Sequence, residues 1–266
     1  TGHSNVAVGK SALGSLTTGD YTTAVGLAAG SNVTNGRFNT FYGFNAGGNS
    51  NASHVVAIGY NVYGSGASNK SYGVYIGSQA GLKSTGGGVY IGRNAGQGVE
   101  NYSGGNIAIG QQSLPLLEAG GGIISIGNYN LNQLQDGNGT LAIGNGVGKN
   151  IEYGRMLTLI GSNVAHNAEN LTAATAVGLG AMFNAGVAVQ NTAFGRQALR
   201  NIGKTLQESG NQYDENGQWV SYVVSGTSNV AIGPYSLQET DSGFRNVAVG
   251  RSAMINNVDG ADNVGI

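Results

Sequence analysis

A short apolar motif recurs along the chain at nearly constant spacing, most often every seventeenth position. In most copies it reads Asn or Thr, a β-branched residue, a small residue, a bulky apolar residue and Gly. It ends at twelve glycines from Gly9 to Gly195, and it returns at Gly233 and Gly250. A fixed period of this length predicts a solenoid in which each repeat forms one coil.

The alternation inside the motif predicts a short strand. The residue before each Gly is bulky and apolar in all fourteen copies, and Val, Ile or Thr usually stands two positions earlier. Because side chains alternate along a strand, these two positions share one face, which we expect to be the core. The position between them is usually Ala, as in Ala24 and Ala193, and is expected on the opposite face. After the Gly, the recurring Ala-Leu step, as in Ala198-Leu199, predicts a second short strand.

Two strands and two turns in each repeat predict an all-β fold, a parallel β-roll or β-solenoid. A face lined with Ala gains little by facing water, so we expect it to pack against identical chains. Four copies carry a large residue at the Ala position, which would fill a widened centre between chains or form exposed patches for a ligand: Phe41, Tyr75, Tyr90 and Leu159.

Composition removes several classes of protein. Gly contributes 49 of the 266 residues and Asn 31, which excludes a helical bundle. The net charge is −1 and the Lys and Arg residues are scattered, so we expect no nucleic-acid partner and no anionic membrane surface. No stretch is apolar enough to insert into a membrane. There is no Cys, which excludes disulfides and thiolate metal sites.

Three segments repeat nearly residue for residue: NVAVGKSAL at 5–13, NTAFGRQAL at 191–199 and NVAVGRSAM at 246–254. They resemble the head repeats of trimeric autotransporter adhesins and the related repeats of trimeric bacteriophage tail fibres. The resemblance implies a left-handed parallel β-roll, a homotrimer, and display on a virion tail fibre or at an extracellular cell surface for attachment. The long repeat period and the Thr-Thr-Gly turn at 17–19 look more like the tail fibres.

One insertion interrupts the repeat. The interval from Gly195 to Gly233 is longer than one coil by 21 positions, so we divide the chain into β-roll repeats at 1–200, an insertion at 201–228 and β-roll repeats at 229–266. An Asn-Gly turn between aromatic and β-branched residues predicts a projecting β-hairpin near 211–224. Five of its residues offer stacking faces and hydrogen-bond acceptors suited to a sugar: Tyr213, Asp214, Glu215, Trp219 and Tyr222. Alternatively, the hairpin packs its Trp against the coils or a neighbouring chain.

Enzymatic chemistry is not indicated. His3, His54 and His166 lack the spacing of metal ligands and are expected in turns or at the surface, and five Tyr residues are expected to be scattered over the turn surface. Those residues are Tyr63, Tyr72, Tyr102, Tyr129 and Tyr153. The glycine runs at 86–88 and 120–122 are expected to be turns rather than phosphate loops. We predict no cofactor and no metal.

The sequence therefore predicts a non-enzymatic segment of a homotrimeric attachment fibre, favouring a bacteriophage tail fibre that binds a host-surface glycan or protein. The alternative is the head of a bacterial trimeric adhesin. Three further hypotheses remain: a spacer that binds nothing, a depolymerising tailspike with clustered carboxylates, and an ice-binding solenoid. The Thr ladder that ice binding requires is interrupted by Val, Ile and Leu. The first residues already belong to a repeat, so we expect a piece of a longer chain.

Overall fold

The computed structural model of the chain describes residues 2–48, 51–63, 72–84, 87–99, 105–203, 212–213, 219–220 and 226–266. The described residues form strands and turns, and none of them lies in a helix. The chain divides into two compact units, Thr1–Asn138 and Gly139–Ile266. Each unit is a parallel β-solenoid in which one coil pairs with the next at the spacing of the sequence repeat, as where Val6 lies opposite Thr23 and Thr158 opposite Thr175. The predicted fold class is therefore confirmed.

Ten strands are described in the first unit. They are β1 (Val6–Val8), β2 (Thr23–Val25), β3 (Thr40–Tyr42), β4 (Val55–Ile58), β5 (Gly73–Ile76), β6 (Gly88–Ile91), β7 (Asn106–Ile109), β8 (Ala119–Gly121), β9 (Ile124–Ile126) and β10 (Asp136–Asn138). The strands β1 to β7 and then β9 pair in parallel, one per coil, in the principal sheet of this unit. The strands β8 and β10 form a second parallel pair.

Twelve strands are described in the second unit. They are β11 (Leu141–Asn145), β12 (Tyr153–Arg155), β13 (Thr158–Ser162), β14 (Asn170–Thr172), β15 (Thr175–Val177), β16 (Val187–Val189), β17 (Thr192–Phe194), β18 (Gln212–Tyr213), β19 (Trp219–Val220), β20 (Val230–Ile232), β21 (Val247–Val249) and β22 (Val264–Gly265). The principal sheet of this unit runs β11, β13, β15, β17, β20, β21, β22, and β12, β14 and β16 form a second parallel sheet.

Two predictions about the coil are wrong. The Ala-Leu step after each Gly forms a turn rather than a second strand, and its backbone pairs with the next coil, as where Leu13 N–H donates to Ala29 O at 2.9 Å. The glycine run at 120–122 is not a simple turn, because Ala119–Gly121 is strand β8. Glycine lacks a side chain to pack, but parallel pairing to β10 satisfies this backbone.

The predicted facing of the strands is also wrong, because the small position points inward. Ala24 and Ala193 are fully buried, whereas Val8 is 55% exposed and Val249 is 38% exposed. The physical reason is volume: a coil this short encloses so little space that most strands turn their small side chain inward. The bulky β-branched residues therefore lie on the outer face of each principal sheet.

The large residues at the small position belong to this interior and fill no gap between chains. Phe41, Tyr75, Tyr90 and Leu159 are at most 1% exposed. Where the interior residue is aromatic, the residue six positions later is Gly; where it is Ala, that residue is large in most coils. The aromatic pairs are Phe41–Gly47, Tyr75–Gly81 and Tyr90–Gly96, and the Ala pairs include Ala57–Tyr63, Ala108–Leu114, Ala176–Met182, Ala193–Leu199 and Ala231–Leu237.

Glycine is required opposite the aromatic rings. A Cβ at Gly47 would overlap the Phe41 ring, and a Cβ at Gly81 would overlap the Tyr75 ring. Tyr63 and Tyr75 stack with ring centroids 4.3 Å apart, and Tyr90 lies 5.5 Å beyond Tyr75. Burial raises the pKa of the Tyr75 phenol, and the neighbouring phenols of Tyr63 and Tyr90 raise it further. The interior of these coils is therefore a neutral aromatic core.

Buried Asn side chains tie successive coils of the second unit together. The Asn229 carboxamide oxygen accepts the backbone N–H of Asn246 at 3.0 Å, and its amide donates to Gly243 O at 2.8 Å. Asn191 accepts the N–H of Asn229 in the same way at 2.9 Å. Each Asn thus satisfies two backbone groups that burial would otherwise leave unpaired.

The insertion does not disturb the coil register. Strand β17 pairs directly with β20, so that Thr192 lies opposite Val230 although the whole insertion separates them along the chain. Within the insertion, β18 and β19 form the predicted antiparallel pair, with Tyr213 opposite Trp219. The handedness of the coils and the trimer remain predictions.

Candidate functional surfaces

The candidate ligand site predicted from the sequence is only partly within the described residues. Tyr213 and Trp219 lie directly opposite one another in the β18–β19 pair. Asp214, Glu215 and Tyr222 lie outside the described residues. The assignment of these five residues to a binding site therefore stays a prediction.

Each unit presents an apolar sheet face, which we define as the outward-pointing apolar residues of its principal sheet. All are half-buried or exposed. In the first unit they are Val6, Val8, Val25, Tyr42, Val56, Ile58, Val74, Ile76, Val89, Ile91, Ile107, Ile109, Ile124 and Ile126. In the second unit they are Leu141, Ile143, Ile160, Val177, Phe194, Val230, Ile232, Val247, Val249 and Val264.

An exposed row of four aromatic rings, the aromatic ladder, follows one corner of the first unit. It consists of Tyr21, Phe38, His54 and Tyr72. They stand two residues before Thr23, Thr40, Val56 and Val74, which pair with one another from coil to coil. Neighbouring rings stack with centroid distances of 5.1, 4.9 and 4.7 Å. Tyr21, Phe38 and Tyr72 are 57%, 50% and 74% exposed. The rings therefore pack on one another while their edges face solvent.

The backbone places the ladder residues in an unusual conformation. Their φ angles are 54°, 57°, 61° and 69°, in the left-handed region that bulky residues rarely adopt. Each backbone N–H donates to a carbonyl of the preceding coil; for example, Phe38 N–H reaches Asp20 O at 3.1 Å, and His54 N–H reaches Arg37 O at 2.9 Å. These bonds hold the rings one coil apart in a straight row.

Beside the ladder runs a polar rail, which we define as Asp20, Arg37 and Ser53, the residues that directly precede three of the rings. Arg37 Nε lies 3.4 Å from Asp20 Oδ2, and the backbone N–H of Arg37 donates to Ser53 Oγ at 3.0 Å. Asp20 Oδ1 also accepts the backbone N–H of His3 at 2.7 Å. Charged and hydroxyl groups therefore lie in register with the aromatic rings.

Sequence reasoning missed the ladder as a unit. Tyr72 was expected among scattered surface Tyr residues and His54 among turn or surface His residues, and both are exposed, but neither is isolated. The available signal was the period itself, because each of the four residues follows the previous one by about one repeat. Spacing at the coil repeat places side chains directly above one another.

The other tyrosines predicted at turns differ from one another. Tyr63 is fully buried, so the surface prediction is wrong for it: it stands six residues after Ala57, where the interior has room for a ring. Tyr129 and Tyr153 are exposed as expected. Tyr102 lies outside the described residues.

The described residues contain no group of three or more His, Asp or Glu side chains placed to hold a metal ion. His166 lies at a turn, where a ring nitrogen is 2.9 Å from Gly146 O and the ring stacks on Phe183. Nor does that part of the chain include a helix able to span a bilayer.

Comparison with known proteins gives no relatives. No protein-family model matches the chain, and neither a curated protein nor a solved structure matches it.

Proposed function

We propose that the chain is a structural and receptor-binding segment of a homotrimeric attachment fibre, of the bacteriophage tail-fibre kind, that recognises a glycan or protein on a bacterial surface. In this proposal the segment acts outside the cell, on a virion, and is not an enzyme. The observation that carries the proposal is the apolar sheet face of each unit.

The apolar sheet face needs a partner. Val, Ile and Leu side chains occupy the outward positions in nearly every coil, and the exposed fraction is 37% at both Ile124 and Ile126 and 55% at Val8. Contiguous apolar surface of this kind is a hallmark of protein interfaces. A second copy of the chain fits because it repeats the same row of side chains at the same coil spacing. Cyclic symmetry then buries the same face on every copy, and the resemblance of the repeats supports three copies.

The insertion supports a role in attachment. The β17–β20 pairing preserves the coil register on either side of it, so a segment can be added there without altering the scaffold. Segments held by a rigid scaffold are where binding residues concentrate. We propose that the hairpin at 211–224, with Tyr213, Asp214, Glu215, Trp219 and Tyr222, contacts the receptor.

The second candidate is the head of a bacterial trimeric adhesin, which would present the same surfaces to host cells or matrix. The resemblance of residues 5–13, 191–199 and 246–254 supports it equally. The length of the coil period favours the tail fibre. The two candidates differ in their targets. A comparison of binding to bacterial cells with binding to host matrix proteins therefore separates them.

Light scattering on the full chain tests the assembly. One chain has a mass of 26.8 kDa, and a trimer would measure about 80 kDa. Ile124→Glu combined with Ile126→Glu puts two carboxylates on the apolar sheet face and should shift the mass to one chain. The control is Met156→Glu, an exposed position that belongs to the apolar sheet face of neither unit, which should leave the trimer intact. A wild-type monomer, or a trimer that tolerates both Glu residues, contradicts the proposal.

Deletion of 211–224 tests the hairpin. The variant should remain a folded trimer and lose binding to bacterial cells, measured by flow cytometry with the labelled protein. Unchanged cell binding would remove the hairpin from the proposed site while leaving the trimer proposal intact.

A further inference from the structure

The fold of the first unit does not require the aromatic ladder. In the second unit, the same register position carries Met156, Ala173, Gln190 and Ser228, with φ angles of 55°, 52°, 58° and 57°. The same backbone bond forms there, since Ala173 N–H donates to Arg155 O at 2.9 Å and Gln190 N–H to Thr172 O at 3.0 Å. The coil therefore adopts one backbone conformation at this position whatever the side chain.

The aromatic residues also have no compensation from burial. In the left-handed region, Gly, Asn and Asp are the favoured residues, and a bulky side chain is disfavoured. Tyr72 is nevertheless 74% exposed, and its ring stacks on that of His54. Four aromatic residues in successive coils, each at a costly position and each in water, indicate a surface kept for binding.

The chemistry beside the rings indicates the class of ligand. A sugar ring presents C–H groups that pack on aromatic surfaces and hydroxyls that pair with carboxylate, guanidinium and hydroxyl groups. The exposed ring of Tyr72, at the end of the aromatic ladder, supplies the first kind of contact, and the polar rail of Asp20, Arg37 and Ser53 supplies the second. A purely apolar protein partner would leave the Asp20 and Arg37 charges to be desolvated, at a cost in binding.

Among the described residues, no further ring follows Tyr72 in the ladder. In the coil after Tyr72, the register position is Gly87, as the pairing of Val74 with Val89 shows. Gly87 has no side chain to cover the Tyr72 ring. A ligand ring placed there would continue the stack of side chains at the coil spacing.

We propose that the aromatic ladder and the polar rail form a carbohydrate-binding strip for an uncharged glycan chain. The inference rests on the attachment function proposed above and adds to it a second, separate binding surface. An uncharged glycan fits because Asp20 and Arg37 carry opposite charges and pair with each other. A linear glycan fits because one sugar ring can stack on Tyr72 while the following units lie along the ring edges and the polar rail, which repeat along one line.

The test is binding of the full chain to an array of immobilised microbial polysaccharides, both neutral and acidic. The variant combines Tyr21→Asn, Phe38→Asn and Tyr72→Asn, because Asn tolerates the left-handed backbone and should preserve the coil. The matched control is Met156→Asn, at the same register position and 62% exposed. We expect wild type to retain at least one neutral polysaccharide, with apparent affinity reduced at least tenfold by the triple variant and unchanged by the control.

The salt dependence of polysaccharide binding distinguishes an uncharged ligand from an acidic one. Binding to an uncharged glycan should change less than about twofold between low and physiological salt, because no ion pair forms with the ligand. Retention of acidic polysaccharides only, with steep loss in salt, contradicts the uncharged class. Failure of wild type to bind any polysaccharide, or equal binding by the triple variant, overturns the proposal.

Two controls keep this inference separate from the attachment proposal. Deletion of 211–224 should leave polysaccharide binding unchanged, because the strip lies in the other unit. If the triple variant instead loses the wild-type mass in light scattering, the ladder is a contact between copies and the carbohydrate proposal fails. If wild type binds cells and the triple variant binds them and the array equally well, the attachment function survives and the strip does not.

Discussion

The first unit contains two sets of aromatic rings that obey different rules. Phe41 and Phe38 are close neighbours in the chain, yet Phe41 is 1% exposed and Phe38 is 50% exposed. The interior ring lies against Gly47, whose missing side chain makes room for it. The exposed ring stacks on Tyr21 and His54 and has no such complement in the coil.

The difference shows that packing restricts which residues can occupy the interior, whereas the corner accepts many kinds of side chain. Inside the coil, a large side chain at one of two positions six apart has a small partner at the other. On the corner, the backbone conformation is constant from coil to coil, and the side chain can be Tyr, Ala, Gln or Arg. Residues at such a position can therefore be chosen for binding without cost to packing.

The largest expected effect comes from removing an interior ring. Phe41→Ala should lower the free energy of unfolding by about 3–5 kcal/mol, because Gly30 and Gly47 border the ring and cannot fill the cavity. Phe38→Ala removes an exposed ring and should cost less than about 1 kcal/mol. Urea denaturation at a fixed chain concentration measures both values. Equal losses for the two variants would contradict the distinction between interior and ladder.

A double variant tests the volume rule directly. Phe41→Ala combined with Gly47→Leu gives this coil the arrangement of Ala193 with Leu199, and Leu199 has a φ of 48°, so Leu is compatible with that backbone. The second substitution should recover about 2 kcal/mol of the loss. Gly47→Leu alone should be strongly destabilising, since its side chain would overlap the Phe41 ring. If the double variant is less stable than Phe41→Ala alone, volume exchange between these positions does not govern the core.

Asn residues provide a second, smaller contrast between inside and outside. Asn229 is fully buried, accepts the backbone N–H of Asn246 and donates to Gly243 O. Asn167 is exposed, and its side chain bonds to the side chains of Asn150 and Asn184. Asn229→Ala should cost about 2–3 kcal/mol, because two buried backbone groups lose their partners. Asn167→Ala should cost less than about 0.5 kcal/mol. A similar cost for both variants, from thermal and urea unfolding, would contradict this account.

Periodicity made the architecture predictable, because a coil of constant length repeats both its strand and its turns. The spacing between Gly9 and Gly195 predicted parallel coils, and the length of the insertion predicted an interruption that leaves β17 and β20 paired. The Asn-Gly turn predicted an antiparallel pair in the insertion, where Tyr213 lies opposite Trp219. The first two of these inferences depend on spacing alone, and the third depends on the residues of the turn.

The facing of the strands was not predictable by the same reasoning. The rule that bulky apolar residues point inward assumes an interior large enough for them, and so short a coil reverses it, so that Ala24 is buried and Val8 exposed. The pairing of Phe41 with Gly47 carried the correction in the sequence, because reciprocal volumes mark positions that face each other. The aromatic ladder was missed for a different reason: its residues share a position in the coil rather than a neighbourhood along the chain.

The smallest expected effect lies at the ladder position of the second unit, where Arg245 and Asp262 replace the rings. Their side chains form two hydrogen bonds of 2.6 Å, and both are well exposed. The Arg245 guanidinium, through these bonds, holds the pKa of the Asp262 carboxyl below its usual range. The pair therefore stabilises the folded chain above the ordinary pKa of Asp, and its contribution is lost as pH falls through the lowered pKa. Arg245→Gln should return the pKa of Asp262 towards its usual value, which NMR titration of the carboxyl carbon measures. The unfolding midpoint at neutral pH should barely change, because exposed ion pairs contribute little to stability. A marked fall in that midpoint would show that side chains at this corner do support the coil, and the same would then have to be considered for the aromatic ladder.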